Sequence, residues 1–214
     1  HSIDLPGRTL KFKATAGSIA QRNADGQLQA EIAYTYYALS GANPKSRPVA
    51  FAINGGPGSA SAWLQLGLLG PWRLPFDASA ALPSASPVVQ PNADTWLDFT
   101  DLVFIDPAGT GYSRIEKSGS EALEKFRSGH GPQQWSVNGD IVSLADFIES
   151  WVAKSGRYAS PRILIGESYG GFRLPRLTST LQTSHGIGIH AMVILSPVLD
   201  FGALRGNRNH PMWT

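Results

Sequence analysis

A serine stands between two glycines in the segment Gly166-Glu167-Ser168-Tyr169-Gly170. The apolar run before it predicts a buried strand and the helical periodicity after it predicts a helix, which places Ser168 at a tight strand-to-helix turn. We expect Gly166 and Gly170 to give this turn the space it needs. The Tyr169 N–H and the helix dipole would favour negative charge there. The pattern therefore indicates nucleophilic attack by Ser168 on a carbonyl carbon, although a small-residue turn that only packs has the same spacing.

A second glycine-rich segment, Asn54-Gly55-Gly56-Pro57-Gly58-Ser59, follows the apolar run that ends at Ile53. Glycines let backbone amides approach a substrate closely, and a loop in this position can supply a second oxyanion donor. Glycine clusters are more often plain turns, so that interpretation stays open. The segment is not a phosphate loop, because no Gly-Lys-Ser or Gly-Lys-Thr follows it.

A serine hydroxyl needs an adjacent base, normally a histidine that a carboxylate orients. The histidines after the serine are His185, His190 and His210, and Asp200 is the only aspartate there. His185 follows a predicted helix and His190 opens a predicted strand, so both favour solvated or structural roles. Asp200 with His210 would form an unusually compact triad. We therefore expect the catalytic aspartate and histidine to lie beyond residue 214.

The elements that must position these residues follow from the apolar pattern. Residues 1–40 alternate apolar and polar side chains, which predicts antiparallel strands with a turn at 24–26. Short continuous apolar runs predict strands buried on both faces at 48–54, 102–106 and 163–166, and a further strand is predicted at 191–196. Helical periodicity covers 133–155 and 173–183. This order predicts the α/β class, with a mostly parallel sheet, helices on both faces and an antiparallel N-terminal edge.

Length and composition narrow the function further. The 214 residues are 42% hydrophobic, enough for one domain with a sizeable core, and we expect 77–92 to be a surface loop and 202–214 to begin a missing remainder of that domain. Scattered Lys and Arg at a net charge of +2 argue against nucleic-acid binding. The absence of cysteine excludes disulfides and thiolate metal sites, and no apolar run predicts a membrane helix. Four arginines near the serine are expected to be solvated or paired with acids: Arg157, Arg162, Arg173 and Arg176.

Three motifs occur in a fixed order along the chain: Asn54 to Ser59, Asp106-Pro107-Ala108-Gly109-Thr110-Gly111-Tyr112-Ser113, and Gly166 to Gly171. Together they resemble the serine carboxypeptidase family, over about residues 30 to 201. The resemblance implies an α/β-hydrolase fold, of which residues 48–201 would carry the catalytic loops and the parallel strands. It also implies that Ser168 attacks the scissile carbonyl while the Gly56 and Tyr169 N–H groups hold the oxyanion. No metal and no organic cofactor are expected.

The same resemblance implies a grip on the C-terminal carboxylate of a peptide, made by Asn54, the Gly55 N–H and Glu167. A neutral Glu167 could share its proton with that carboxylate, where two like charges could not coexist, so activity is expected to be favoured by acid. Two positions depart from the family pattern. Ala52 stands where relatives carry Trp, and Leu68 stands where they carry a second Glu.

The resemblance further implies a periplasmic or secreted protein, whose substrate is a peptide or protein C-terminus. The lack of cysteine differs from the disulfide-bearing eukaryotic members and suggests a bacterial type. We expect the chain to be the N-terminal portion, inactive alone, and completed by its own C-terminal segment or by a homodimer partner. Two alternatives stay open. One is an esterase or acyltransferase, which Ala52 and Leu68 favour, and the other is a catalytically silent binding or protective homologue.

Overall fold

A computed structural model of the protein describes residues 1–75, 88–116 and 133–200. Eight of the strands in these residues form one sheet in the order β1-β2-β3-β7-β4-β9-β10, with β8 paired to β3. The remaining two strands, β5 and β6, pair with each other. In chain order the strands are β1 (Ser2–Leu5), β2 (Arg8–Arg22), β3 (Leu28–Leu39), β4 (Val49–Ile53), β5 (Trp72–Arg73), β6 (Gln90–Pro91), β7 (Asp101–Ile105), β8 (Arg114–Ile115), β9 (Arg162–Glu167) and β10 (Ala191–Leu195).

The strand directions agree with the sequence pattern. β1, β2 and β3 pair antiparallel, and β3 also pairs antiparallel with β7. β7, β4, β9 and β10 run parallel to one another. The strands β4 and β7, whose residues are all buried, are the continuous apolar runs of the sequence. The predicted mostly parallel sheet with an antiparallel N-terminal edge is therefore confirmed.

Three α-helices accompany the sheet in the described residues: α1 (Ala62–Leu64), α2 (Val137–Ser155) and α3 (Gly170–Ser184). α1 continues into a π-helical turn, Gln65–Leu69. α2 begins after Ser136, whose hydroxyl accepts from the Gly139 N–H at 3.0 Å, and ends at Gly156 in the left-handed conformation. Its buried stripe contains every residue that the periodicity predicts: Ile141, Leu144, Ala145, Ile148, Trp151 and Val152.

The core consists of two layers, one on each face of the sheet. Alternate residues of β4 enter different layers, with Val49, Phe51 and Ile53 on one face and Ala50 and Ala52 on the other. The first layer packs against α2 and α3, and the second packs against β1 and the helical segment 62–69. Both long helices of the described residues thus cover the same face, and the part of the opposite face that these residues form carries short helical turns.

Two details differ from the predicted loop at 77–92. Residues 77–87 lie outside the described residues, but Gln90–Pro91 forms β6, which pairs with β5. Asn92 is buried, and its amide donates to the carbonyls of Leu68 and Gly70. Residues 202–214, expected to begin the missing remainder, also lie outside the described residues. None of the described helices combines the length and the apolar character needed to cross a membrane.

A buried carboxylate ties the beginning of β4 to its neighbours. Asp101 accepts from Arg47 Nε and from Arg157 Nη1, both at 2.7 Å, and from the Leu39 N–H at 3.0 Å. The Tyr36 hydroxyl also donates to it, and burial together with the nearby carboxylate raises the pKa of Tyr36 to about 12. Because Asp101 and Arg157 are almost fully buried, each charge depends on its partner.

We predict that Asp101→Ala lowers the free energy of unfolding by about 3–5 kcal/mol, because it leaves two guanidinium groups without a counter-charge in the interior. Urea denaturation of the full-length protein measures this change. The control is Asp94→Ala, which removes a carboxylate 83% exposed and paired with Arg73 at 3.7 Å, and should cost less than about 0.5 kcal/mol. Equal effects of the two substitutions would contradict the prediction.

Candidate active site

Ser168 lies at the predicted strand-to-helix turn, between the end of β9 at Glu167 and the start of α3 at Gly170. Its φ of 56° is in the left-handed region, which non-glycine residues rarely adopt. Hydrogen bonds hold this conformation from both sides. The Ser168 N–H donates to Leu195 O at 2.9 Å, and the Ser168 carbonyl accepts from Val198 N at 2.8 Å and Gly171 N at 3.0 Å. The strained turn thus depends on β10 and on the residues that follow it.

The glycines around the serine are only partly those that the sequence predicts. A Cβ on Gly166 would lie 3.0 Å from the Gly170 Cα and from Leu174, so this position is crowded as expected. A Cβ on Gly170 would meet nothing within 4 Å, and the prediction for Gly170 is wrong. The crowded position is Gly171, where a Cβ would collide with Pro197. The reason is tertiary, because the chain after β10 crosses the first turn of α3.

The glycine-rich loop after β4 lies directly against this turn. A Cβ on Gly55 would collide with the Glu167 carbonyl and would lie 2.7 Å from the Tyr169 N and 2.9 Å from the Ser168 Cβ. Gly56 has a φ of 113°, and a Cβ there would approach the Gly58 N to 2.5 Å. Both positions therefore require glycine. The structure brings the Gly55–Gly56 segment to the backbone on either side of Ser168.

Three residues predicted to bind a carboxylate meet beside the serine. The Asn54 side-chain amide donates to Glu167 Oε2 at 3.2 Å, and the Gly55 N–H donates to the same oxygen at 3.4 Å. The Asn54 side-chain carbonyl accepts from the Leu64 N–H at 3.0 Å, which fixes the amide orientation. Asn54 is buried and Glu167 is half-buried. Two N–H donors and one carboxyl group therefore converge next to Ser168.

The aspartate of the second motif supports the far end of the glycine-rich loop. Asp106 Oδ1 accepts from the Ser61 N–H at 2.9 Å, and Oδ2 accepts from the Tyr112 N–H at 3.0 Å. The Ser61 hydroxyl donates to Ile105 O and accepts from the Asn54 N–H at 3.1 Å. The motif therefore has a structural role that its sequence alone does not reveal, because its contacts span about 45 residues.

Arg173 is a contributor to the site that the sequence leaves unspecified. It is fully buried, pairs with Asp140 and donates to the backbone carbonyl of Asn54 at 2.7 Å. Its guanidinium also lies 4.8 Å from the centre of the Tyr169 ring. Burial raises the pKa of Tyr169, and the negative charge of the nearby Asp140 raises this pKa further. The sequence places Asp140 in the predicted helix 133–155, one position before the buried Ile141, but it does not show that Asp140 pairs with Arg173.

No base contacts the Ser168 hydroxyl within residues 1–75, 88–116 and 133–200. His185 lies at the opposite end of the 15-residue α3 from the serine, about 20 Å away. The His190 N–H donates to the carbonyl of Arg162, at the start of β9 and thus a full strand length from the serine. His210 lies outside the described residues. The expectation that His185 and His190 are not catalytic agrees with these positions.

One cluster in the described residues has the composition of a metal site. Asp146 and Glu149 of α2 and His185 bring their ligand atoms within 4.8 Å of one another. His185 Nδ1 lies 2.9 Å from Glu149 and Nε2 lies 3.8 Å from Asp146, so each nitrogen faces a different carboxylate. Burial raises the pKa of Asp146. This geometry fits an imidazole bridging two acids better than three ligands around one ion.

Comparisons with known proteins agree with the geometry. The sequence profile described as serine carboxypeptidase matches residues 6–201. Serine carboxypeptidase-like 45 of Arabidopsis thaliana is 25% identical over 219 residues, 98% of this chain and 42% of that protein. Serine carboxypeptidase-like 5 of the same plant is 28% identical over 209 residues, 92% of this chain and 43% of that protein. The chain spans about two fifths of the length of these relatives.

A solved structure shows the same fold. A prohormone-processing carboxypeptidase from Saccharomyces cerevisiae superposes with a TM-score of 0.65 at 24% sequence identity. The superposition covers 87% of this chain and 39% of that chain.

We predict that Gly55→Ala slows the reaction of Ser168 with a fluorophosphonate by at least about 100-fold, because the added methyl group pushes the loop away from the turn. The labelling rate in the full-length protein is the measurement. Gly58→Ala is the matched control in the same loop, since a Cβ there would meet nothing within 4 Å. A Gly55→Ala protein that is labelled as fast as Gly58→Ala would show that the close approach is dispensable.

Proposed function

Since the chain belongs to the serine carboxypeptidase family and has the α/β-hydrolase fold, we propose that the whole protein removes C-terminal residues from peptides through an acyl-enzyme at Ser168. One observation carries this proposal. The carboxyl group of Glu167, the residue next to the nucleophile, is bound by the Asn54 side-chain amide and the Gly55 N–H. An exopeptidase must recognise a free C-terminal carboxylate within one residue of the bond that it cleaves, and these groups belong to the residue before Ser168 and to the loop that lies against it.

In the proposed reaction, Ser168 Oγ attacks the carbonyl carbon of the last peptide bond. Its proton passes to a general base supplied from outside the described residues. The N–H groups of Gly56 and Tyr169 hold the oxyanion of the tetrahedral intermediate. The intermediate then breaks its C–N bond, and the leaving amine takes the proton from the base. Water then attacks the carbonyl carbon of the remaining ester while the base takes its proton. The bond to Ser168 Oγ breaks, and the base returns the proton to the serine hydroxyl.

The proposed carboxylate grip works by sharing a proton. Two unpaired carboxylates at about 4 Å would repel each other by about 4 kcal/mol at a typical effective dielectric constant near the surface. A protonated Glu167 instead donates a hydrogen bond to the substrate carboxylate, while the Asn54 amide and the Gly55 N–H complete the donor set. Substrate binding should therefore weaken as the pH rises and this proton is lost.

A second candidate function is hydrolysis or transfer of an ester. Leu68, which stands where relatives carry a second glutamate, is 46% exposed and offers no hydrogen bond from its side chain. Among the described residues, the proposed carboxylate grip therefore contains one carboxyl group, that of Glu167. An esterase or acyltransferase would use the same turn and glycine-rich loop but would not require a free carboxylate on its substrate.

The proposal extends to partner and location. The partner is a peptide or protein C-terminus, and the catalytic base comes from the protein's own C-terminal segment or from a second copy. We propose a location outside the cytoplasm, periplasmic or secreted, from the family relationship.

We predict that kcat/KM for a C-terminally free peptide falls as the pH rises, mainly through KM, and that Glu167→Gln removes this dependence. The side-chain amide of the variant donates a hydrogen bond at every pH, because it does not ionise. Steady-state kinetics on matched free and amidated peptides measure both effects, with Glu31→Gln, at an exposed site on β3, as the control.

The outcomes separate the candidates. Equal turnover of free and amidated peptides would favour the esterase. A pH profile that Glu167→Gln leaves unchanged would contradict the proposal that Glu167 shares a proton with the substrate. Absence of fluorophosphonate labelling at Ser168 in the full-length protein would favour a catalytically silent homologue.

A further inference from the structure

We propose that Arg173 is a positioning residue of the active site, which sets the orientation of the peptide unit between Asn54 and Gly55 while Asp140 holds its guanidinium. The inference rests on the proposed function for its kinetic consequences, but its structural part stands on the contacts alone.

Asp140 fixes the orientation of the buried Arg173 guanidinium. Arg173 has no exposed surface, and it is the largest fully buried side chain among the described residues. Its Nε lies 2.8 Å from Asp140 Oδ2 and its Nη2 lies 3.2 Å from Oδ1, a bidentate pair between α3 and α2. The planar fork therefore has one orientation, and it aims the remaining nitrogen, Nη1, at the end of β4.

The third nitrogen makes the contact that reaches the site. Nη1 donates to the backbone carbonyl oxygen of Asn54 at 2.7 Å. That carbonyl and the Gly55 N–H belong to one planar trans peptide unit, in which C=O and N–H point in opposite directions. Holding the carbonyl from the interior therefore aims the Gly55 N–H outward, where it donates to Glu167 Oε2.

The same guanidinium contacts the other side of the site. Its carbon lies 4.8 Å from the centre of the Tyr169 ring, within the range of a cation–π contact. Tyr169 follows the nucleophile, and its N–H is one of the two proposed oxyanion donors. One buried cation thus contacts the Asn54 carbonyl at the start of the glycine-rich loop and the side chain of Tyr169, the residue after Ser168.

A second buried arginine offers a matched control. Arg157 is equally enclosed, pairs with Asp101 at 2.7 Å and donates to the backbone carbonyl of Arg47 at 2.9 Å. Arg47 lies just before β4, whereas Asn54 lies just after it. The two arginines therefore resemble each other in burial, pairing and backbone contact, but only Arg173 contacts the site.

The test compares Arg173→Met, Arg173→Lys and Arg157→Met in the full-length protein. Amide hydrogen exchange, the rate of fluorophosphonate labelling and thermal unfolding are measured on each, together with kcat and KM. Both Met variants should unfold at lower temperature, because Arg173→Met leaves Asp140 without its arginine partner and Arg157→Met leaves Asp101 with Arg47 alone. Only Arg173→Met should raise exchange in residues 54–58, by about tenfold or more, and slow labelling of Ser168 by about 10- to 100-fold.

The kinetic pattern adds a readout that a purely structural role would not change. KM for C-terminally free peptides should rise in Arg173→Met, because Asn54 and Gly55 bind the carboxylate, while KM for amidated peptides or esters stays within about twofold. Arg173→Lys keeps a cation near the Asn54 carbonyl but loses the bidentate pair, so its labelling rate should fall between wild type and Arg173→Met.

Exchange and labelling in Arg173→Met that match those in Arg157→Met would overturn the inference. If the wild-type protein is not labelled at Ser168, the proposed function fails, and exchange in residues 54–58 alone then decides the inference. A rise specific to Arg173→Met supports it, and no rise overturns it.

Discussion

A positive charge enclosed in the protein, on Arg173, imposes the constraint on which the rest of the site depends. An isolated buried charge costs several kcal/mol, so the fold must bring a carboxylate and further acceptors to it. Asp140 of α2 and the carbonyl of Asn54 meet this requirement, and in doing so they join α2, α3 and the end of β4 at one point. Asp101 and Arg157 impose the same constraint at the start of β4. The strand that carries the glycine-rich loop is therefore held by a buried ion pair at each end.

The conformation of Ser168 depends on the sheet in a different way. A left-handed serine costs about 1–3 kcal/mol and persists only where the surroundings leave no alternative. Here Leu195 accepts from its N–H, and Val198 donates to its carbonyl. Both partners belong to β10 or to the residues just after it, and β10 is held by its parallel pairing with β9. Ser168 is thus positioned by the neighbouring strand as much as by its own turn, while Gly55 covers the turn from the other side.

Much of this architecture could be predicted from the sequence because the signals are local. The lengths of the apolar runs identify β4, β7, β9 and β10, and the 3.6-residue period identifies the buried stripe of α2. The features that could not be predicted arise between distant segments. Gly171 is crowded by Pro197, 26 positions later, and Arg173 is buried because Asp140, 33 positions earlier, faces it. A sequence shows that Arg and Asp are present, but it does not show which of them become buried as an ion pair. The roles of Gly56 and Tyr169 as oxyanion donors stay predictions.

The substitution at Leu68 changes the chemistry expected of the carboxylate grip rather than its framework. The Leu68 backbone carbonyl accepts from Asn92 at 2.8 Å, so the chain here is held in place while the side chain lies partly in solvent. With two glutamates, a proton could be shared between them before any substrate arrives, and the pair would titrate as a unit. With Glu167 alone, the second carboxylate of such a pair would, in the proposed function, be that of the substrate. Under that proposal, proton uptake would be linked to substrate binding, so the pH dependence would lie in the affinity for substrate rather than in the attack by Ser168.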